Sequence, residues 1–285
     1  MLLFIIVSAG VGALLIIPAW RLIGSSDIVG LLFLTASVLV GSFVMTKFIN
    51  RKPLGAIGLF FHPGAHREFG MGCLLGFLMM SAIFVVEFVF GYASIIWRGL
   101  SIIACLELLG GSLILFALSA FFEETLFRGY LFQTLIQAVT FVPAMVIMAI
   151  IFGLAHGRNP QVGPFSLVNI GLAGVWLSVA YMKTRSLWLP FGLHLAWNFS
   201  QATIFSFPTS GVAFESRRLF FLTQSGPEWV TGGAFGPEGG VLATLSLIGC
   251  TWFLLKSRHV SVPEGIITLD SVEDLLPRQQ LEGKG

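Results

Sequence analysis

The chain opens with "MLLFIIVSAGVGALLIIPAW", and apolar runs of about that length recur along most of its length. A helix needs about 20 mostly apolar residues to cross the hydrocarbon core of a bilayer. By that measure the sequence predicts eight membrane helices. They fall at approximately 2–20, 28–48, 70–92, 101–122 (continuing as helix beyond), 140–156, 163–182, 188–206 and 239–256. Composition agrees: 56% of the 285 residues are hydrophobic and 11% charged, with a mean hydropathy of +0.91. Soluble domains carry roughly a quarter charged residues. A soluble globular enzyme is excluded, and the expected class is an all-α integral membrane protein of about eight helices.

No repeat or second domain is visible, so residues 1–256 read as one transmembrane domain and 257–285 as a polar, solvent-facing tail. The first apolar run has no basic stretch before it, so it reads as a span and not as a cleaved signal. A net charge of +2 gives no reason to expect a nucleic-acid partner. Cys73, Cys105 and Cys250 lie far apart within apolar runs and read as small buried hydrophobes. Basic residues set the orientation. Lys47, Arg51, Lys52, Arg67, Arg128, Lys183, Arg185, Lys256, Arg258, Arg278 and Lys284 fall on one side, against Arg21, Arg98, Arg158, Arg217 and Arg218 on the other. Both termini are therefore expected in the cytoplasm, with the chain in the plasma membrane and lipid around it. "LGAIGLFFHPGAHREFG" (54–70) reads as an interfacial segment, and "TGGAFGPEGG" (231–240) as a turn before the last span.

Ionisable groups within a span cost roughly 2.5–3.5 kcal/mol each on insertion scales, so each needs a reason. Most of them fall in three strings, "EETLFR" (123–128), "FGLAH" (152–156) and "HLAWN" (194–198). On a helix Glu124 and Arg128 are i and i+4 and face each other, which predicts a structural ion pair. Glu123 lies about 100° around the helix from Glu124 and faces something else. An unpaired carboxylate in such a place suits a general base. Glu87 and Glu107 have no partner at helical spacing and read as structural or interfacial.

Depth can be counted from the turns. The helix carrying Glu123 is expected to run to about Ala138, turn at Val139–Thr140, and resume with Pro143 in its first turn. Glu123 and His156 then lie about equally far from that turn, at similar depth. Counted instead from the start of its own span, Glu123 falls near the cytoplasmic end, so the two counts conflict. His194 and Asn198, again i and i+4, share a face. Counted from a turn near Thr184–Ser186, His194 comes out roughly 10 Å shallower than His156. Each histidine alone would pass as a contact between helices. Two carboxylates, two histidines and an asparagine on three spans are too costly for packing alone, and they predict a polar cavity inside the membrane.

The three strings, in this order, resemble the EExxxR, FxxxH and HxxxN/D signatures of the CPBP family. It comprises the type II CAAX prenyl endopeptidases and the bacterial proteins of bacteriocin processing and immunity, also called Abi. The motifs cover 123–198, and the likeness in layout extends to a core of about 100–206. The resemblance implies an all-helical intramembrane endopeptidase acting on a membrane-anchored peptide or protein, CAAX-type processing included. Carried over, Glu123 is the residue that activates water and Glu124 its partner carboxylate, supported by Arg128. His156 and His194 are the remaining catalytic groups, and Asn198 stabilises an oxyanion. A divalent metal such as zinc on His156, His194 and Glu123 or Glu124 would make a catalytic ligand set with an open position. The chain lacks an HExxH helix, however, and water activated by Glu and His alone is the other possibility. A catalytically silent immunity or scaffold protein of the same fold is the alternative function. A transporter with a Glu/His relay is a third, against which stands the absence of a repeat or of paired interrupted spans.

Overall fold

The computed structural model describes residues 1–23, 27–258, 260–262 and 267–269. Its helices are α1 (Leu2–Ile23), α2 (Asp27–Val44), α3 (Ala65–Val89), α4 (Ile102–Glu124), α5 (Leu131–Val139), α6 (Phe141–Ala155), α7 (Pro164–Thr184), α8 (Trp188–Phe199), α9 (Glu228–Thr231) and α10 (Val241–Lys256). The chain is mostly helical, and its long helices turn Leu74, Phe77, Val85, Ile114, Ile147, Ile150, Leu245 and Trp252 outward. So wide an exposed apolar belt suits a membrane protein.

Among the described residues, four stretches are long and apolar enough to cross a membrane: Asp27–Asn50, Ala65–Val89, Ile102–Val139 and Pro164–Thr184. The first expected span is the 22-residue α1, while three others are shorter as built. Phe141–Ala155 has 15 residues and Val241–Lys256 has 16, while α8 has only 12. Several boundaries also move. The third span begins at Ala65, not 70, and the seventh is α8 followed by a wide helical turn, Ser200–Ile204.

The mostly helical chain is consistent with the all-α class expected, and its loops add one short strand pair. Strands β1 (Ala93–Trp97) and β2 (Phe220–Gln224) pair antiparallel, with Ala93 opposite Gln224 and Trp97 opposite Phe220. "ASIIW" and "FFLTQ" are rich in β-branched and aromatic residues, which suit a strand. Read along the chain, they pass for span ends and loop.

The loops gather at two ends. Residues 45–64, Thr140, 185–187, 257–258 and 267–269 share one end, where Lys183 Nζ donates to Ser257 O (2.9 Å) and Leu187 N to Gly58 O (2.8 Å). Residues 90–101, 156–163 and 205–240 share the other, joined by the β1–β2 pair and by Asn159 Nδ2 donating to Ser210 O (3.0 Å).

Segment 54–64 is a roof and not a strip along the interface. Ala56 and Ile57 are fully buried, and Trp188 Nε1 donates to Phe60 O at 3.1 Å. Beneath the roof Arg185, Ser186 and Leu187 are buried. The α7–α8 turn is thus recessed into the protein.

Part of the expected tail, with His259, lies outside the described residues. The described part returns to the body. Leu269 is buried, its N–H donates to Gln133 Oε1 (3.0 Å), and Lys52 Nζ donates to Thr268 O (2.7 Å). Segment 267–269 is therefore docked, not solvent-facing, because a leucine among these polar residues finds the apolar core beside α5.

Two close helix pairs hold the interior. In α3 against α8, a Cβ at Gly72 would strike Leu189 O, one at Gly76 would lie 2.5 Å from Leu193 O, and one at Gly192 would strike Phe69 O. Small residues four apart permit this backbone contact, and it seats α8, which carries His194, directly against α3. In the second pair, α6 lies against α7, where Gly174 meets Ala149.

Candidate active site

The α4 helix does not stop at the glutamates. It passes through a wide turn, Thr125–Tyr130, bends at Gly129 (φ −75°, ψ −122°) and continues as α5. The whole stretch has 38 residues, about 57 Å of helix, far longer than the hydrocarbon core is thick. Glu123 therefore lies well away from both ends of the stretch, whichever end is counted from. Wide turns of this kind are frequent at functional sites.

His156 caps the end of α6, and its Nδ1 lies 2.8 Å from Phe152 O. A carbonyl only accepts, so Nδ1 donates and Nε2 is left to face Glu123. That Nε2 is 3.9 Å from Glu123 Oε2. His194, on α8, has Nδ1 2.8 Å from Glu124 Oε1 and donates to it. Its Nε2 is also 3.9 Å from Glu123 Oε2. The depth mismatch expected for His194 disappears because its turn is recessed beneath the roof. One carboxylate oxygen thus faces two imidazole nitrogens, a gap that a water molecule can bridge.

Glu124 has the partner expected and one more. Arg128 Nη1 donates to its Oε1 at 3.1 Å, and all three of Glu124, Arg128 and His194 are buried. Arg128 Nη2 also donates to Gly174 O (3.2 Å), and its guanidinium lies over the Phe152 ring, 4.5 Å from the centroid. The ion pair is therefore an orienting device as well as a structural one: the oxygen it neutralises also fixes the His194 ring.

These groups open on a cavity of about 530 Å³. Glu123, His156, His194 and Asn198 all line it, together with Ser119, Trp176, Phe214 and, from α2, Asp27 and Leu31. Ser119 Oγ donates to Glu123 Oε1 at 3.3 Å, one helical turn before it. Glu87, fully buried, stays apart and accepts from Gln224 Nε2 (2.9 Å), a structural tie between α3 and β2.

Sequence reasoning missed three residues. Phe152 is the aromatic hub, 4.8 Å from the His156 ring and 6.4 Å from the His194 ring between centroids. It stood inside a quoted motif, so the signal was present. Asn169 and Glu238 also line the cavity, and Asn169 Nδ2 donates to Glu238 O at 2.8 Å. Glu238 sits in the Gly-rich segment read as a turn. A lone carboxylate beside a membrane span was the one available hint.

The expected metal can be tested against this spacing. Tetrahedral zinc with bonds of about 2.0–2.1 Å sets its ligand atoms about 3.3–3.4 Å apart. The glutamate–imidazole separations are wider, at 3.9 Å each. Among the described residues no group of three or more His, Cys, Asp and Glu side chains is set to hold an ion. As arranged, the donors do not fit one.

Known proteins bear on the same residues. Residues 105–200 match the family model described as type II CAAX prenyl endopeptidase Rce1-like. The uncharacterized protein YyaK of Bacillus subtilis (strain 168) is 25% identical over 202 residues, which is 66% of this chain and 64% of that protein. The match thus spans slightly less than two thirds of the relative's length. No solved structure matches. The matched stretch, residues 105–200, supplies both glutamates, both histidines, Arg128 and Asn198, and it is this stretch that is similar to the type II CAAX prenyl endopeptidase Rce1-like family.

Proposed function

We propose that this protein is an intramembrane endopeptidase, hydrolysing a peptide bond in a membrane-anchored peptide or protein, with CAAX-type substrates within its class. The observation that carries the reading is Glu123 Oε2 lying 3.9 Å from the Nε2 atoms of both His156 and His194 at a cavity wall. Water held among these three acceptors donates one proton to Glu123 and the other toward an imidazole. Glu123 takes the first proton as the water oxygen attacks the carbonyl carbon. The Asn198 amide donates to the oxyanion that forms, where a fixed donor is worth most. Collapse returns the proton to the leaving amine. Glu124 and Arg128 touch neither water nor substrate in this scheme; they hold His194.

The scheme is written without a metal ion, and the 3.9 Å separations between Glu123 and each imidazole support that choice. The alternative, an ion on His156, His194 and Glu123, is separable by experiment. Eight membrane crossings, a plasma-membrane location and cytoplasmic termini belong to the same proposal, supported by the basic residues gathered at one end. The test uses the purified full chain and a panel of lipid-anchored peptides, prenylated and unprenylated. Glu123→Gln is expected to lose roughly 100-fold or more in kcat, the usual range for a general base, with its melting temperature unchanged. A panel on which wild type and Glu123→Gln perform alike would leave the chain as a silent member of its fold.

A further inference from the structure

Opposite the catalytic wall, the cavity is closed by a tight turn whose anchor is a second carboxylate. Thr209 N donates to Val212 O (3.0 Å) and Val212 N to Thr209 O (2.9 Å), so the chain reverses over Ser210 and Gly211. Both have left-handed backbones, φ 49° for Ser210 and 82° for Gly211. That geometry costs a serine something and persists only when its surroundings enforce it.

They do. Glu238 Oε2 accepts from Ser210 N at 2.5 Å and from Ser210 Oγ at 2.9 Å. Its other oxygen accepts from the indole Nε1 of Trp197 at 3.1 Å. Asn159 Nδ2 reaches the same serine's carbonyl, and Gly211 N donates to Phe235 O at 2.9 Å. Glu238 is thus a buried carboxylate with three donors, two on the turn and one on α8. The two ends of this chain of bonds are next to the chemistry: Asn159 is three residues past His156, and Trp197 directly precedes Asn198. Thr209, Ser210, Val212 and Glu238 all line the cavity.

We infer that Glu238 is a positioning residue that sets the 209–212 turn as the substrate-facing wall and ties it to the two catalytic elements. This rests on the peptidase reading, since it assigns the wall a substrate. The carboxylate does not reach Glu123, so it acts on how substrate is held and not on the attack of water. Glutamine in its place keeps the shape but turns one acceptor into a donor, facing either Ser210 or Trp197 with the wrong polarity.

The experiment uses the full chain and one probe, a quenched fluorogenic peptide with a palmitoyl anchor, taken forward on the condition that wild type cleaves it and Glu123→Gln does not. For Glu238→Gln we expect KM to rise roughly tenfold, the size of one buried hydrogen bond lost, with kcat within about twofold. Trp197→Phe and Ser210→Ala each delete one donor to Glu238 and should raise KM in the same direction by less. Glu238→Gln combined with Trp197→Phe should be no worse than Glu238→Gln alone, because both break one link. Hydrogen–deuterium exchange at 157–163 and 207–213 should accelerate in Glu238→Gln. That readout needs no substrate, so it stands whether or not the chain is a peptidase. Wild-type KM in all three single variants, a fall in kcat alone, or unchanged exchange in those segments would each overturn the inference.

Discussion

At the level of single residues, the adjacent glutamates have divided their work. Glu123 points into the cavity, while Glu124 is sealed beneath it with Arg128 and His194. That division was legible in the sequence because helical spacing pairs Glu124 with Arg128 and turns Glu123 away. What was not legible is that Glu124 Oε1 is shared with His194, since the contact joins α4 to α8. Arg128→Ala should therefore do two things. It leaves a buried carboxylate without its cation, which typically costs about 3–5 kcal/mol, and it loosens the ring that Glu124 holds. Thermal unfolding in detergent should show a clearly lower midpoint for Arg128→Ala than for Glu123→Gln. Equal midpoints would mean that Arg128 is not the stabilising partner.

Among the elements, the hairpin of α5 and α6 shows how far counting can go. Glu123 and His156 were placed level because both distances were measured from the same turn, and such a comparison survives errors in tilt or span boundary. His194 was misplaced because its depth was measured from a different turn, assumed to lie at the surface. That turn is recessed, and the cause is the roof at 54–64, more than a hundred residues away in sequence. The β1–β2 pair escaped notice for the same reason: each strand finds its partner only through folding. The Gly72–Gly76–Gly192 contact is the element-level feature most open to test. Gly76→Leu inserts a side chain where even a Cβ lies 2.5 Å from Leu193 O. Overpacking usually costs about 1–3 kcal/mol, and contact with backbone on both sides leaves little room to relax. We expect that loss of stability together with a lower kcat, because α8 must move and His194 moves with it. Gly70→Leu, at a position with nothing within 4 Å, is the matched control and should behave as wild type.

Across the whole molecule, both loop ends contribute to one interior. The roof at one end sets the depth of His194, and the 205–240 loops at the other close the cavity. The metal question belongs to this scale, because the separations among α4, α6 and α8 decide it. With Glu123 3.9 Å from each imidazole, peptide cleavage should persist after exhaustive chelation, with less than one ion per chain by elemental analysis. Activity lost to chelation and restored by zinc would show that the three elements close around an ion in the working enzyme.

The recessed turn also bears on how the chain enters a membrane. Its 12-residue α8 is about 18 Å long, and about 25 Å even when extended through Ile204, short of the roughly 30 Å that a lone span must cover. It also carries His194, Asn198 and Gln201, all unwelcome in lipid. A segment like this has little reason to leave the translocon by itself. The groove of α3 and the roof at 54–64 are made earlier in synthesis and offer it a place already lined with protein. Glycosylation mapping should then find residues 185–206 poorly inserted when grafted alone into a reporter, and well inserted in the full chain. The helix that carries His194 would be the last-committed part of the bundle, admitted only once its neighbours are in place.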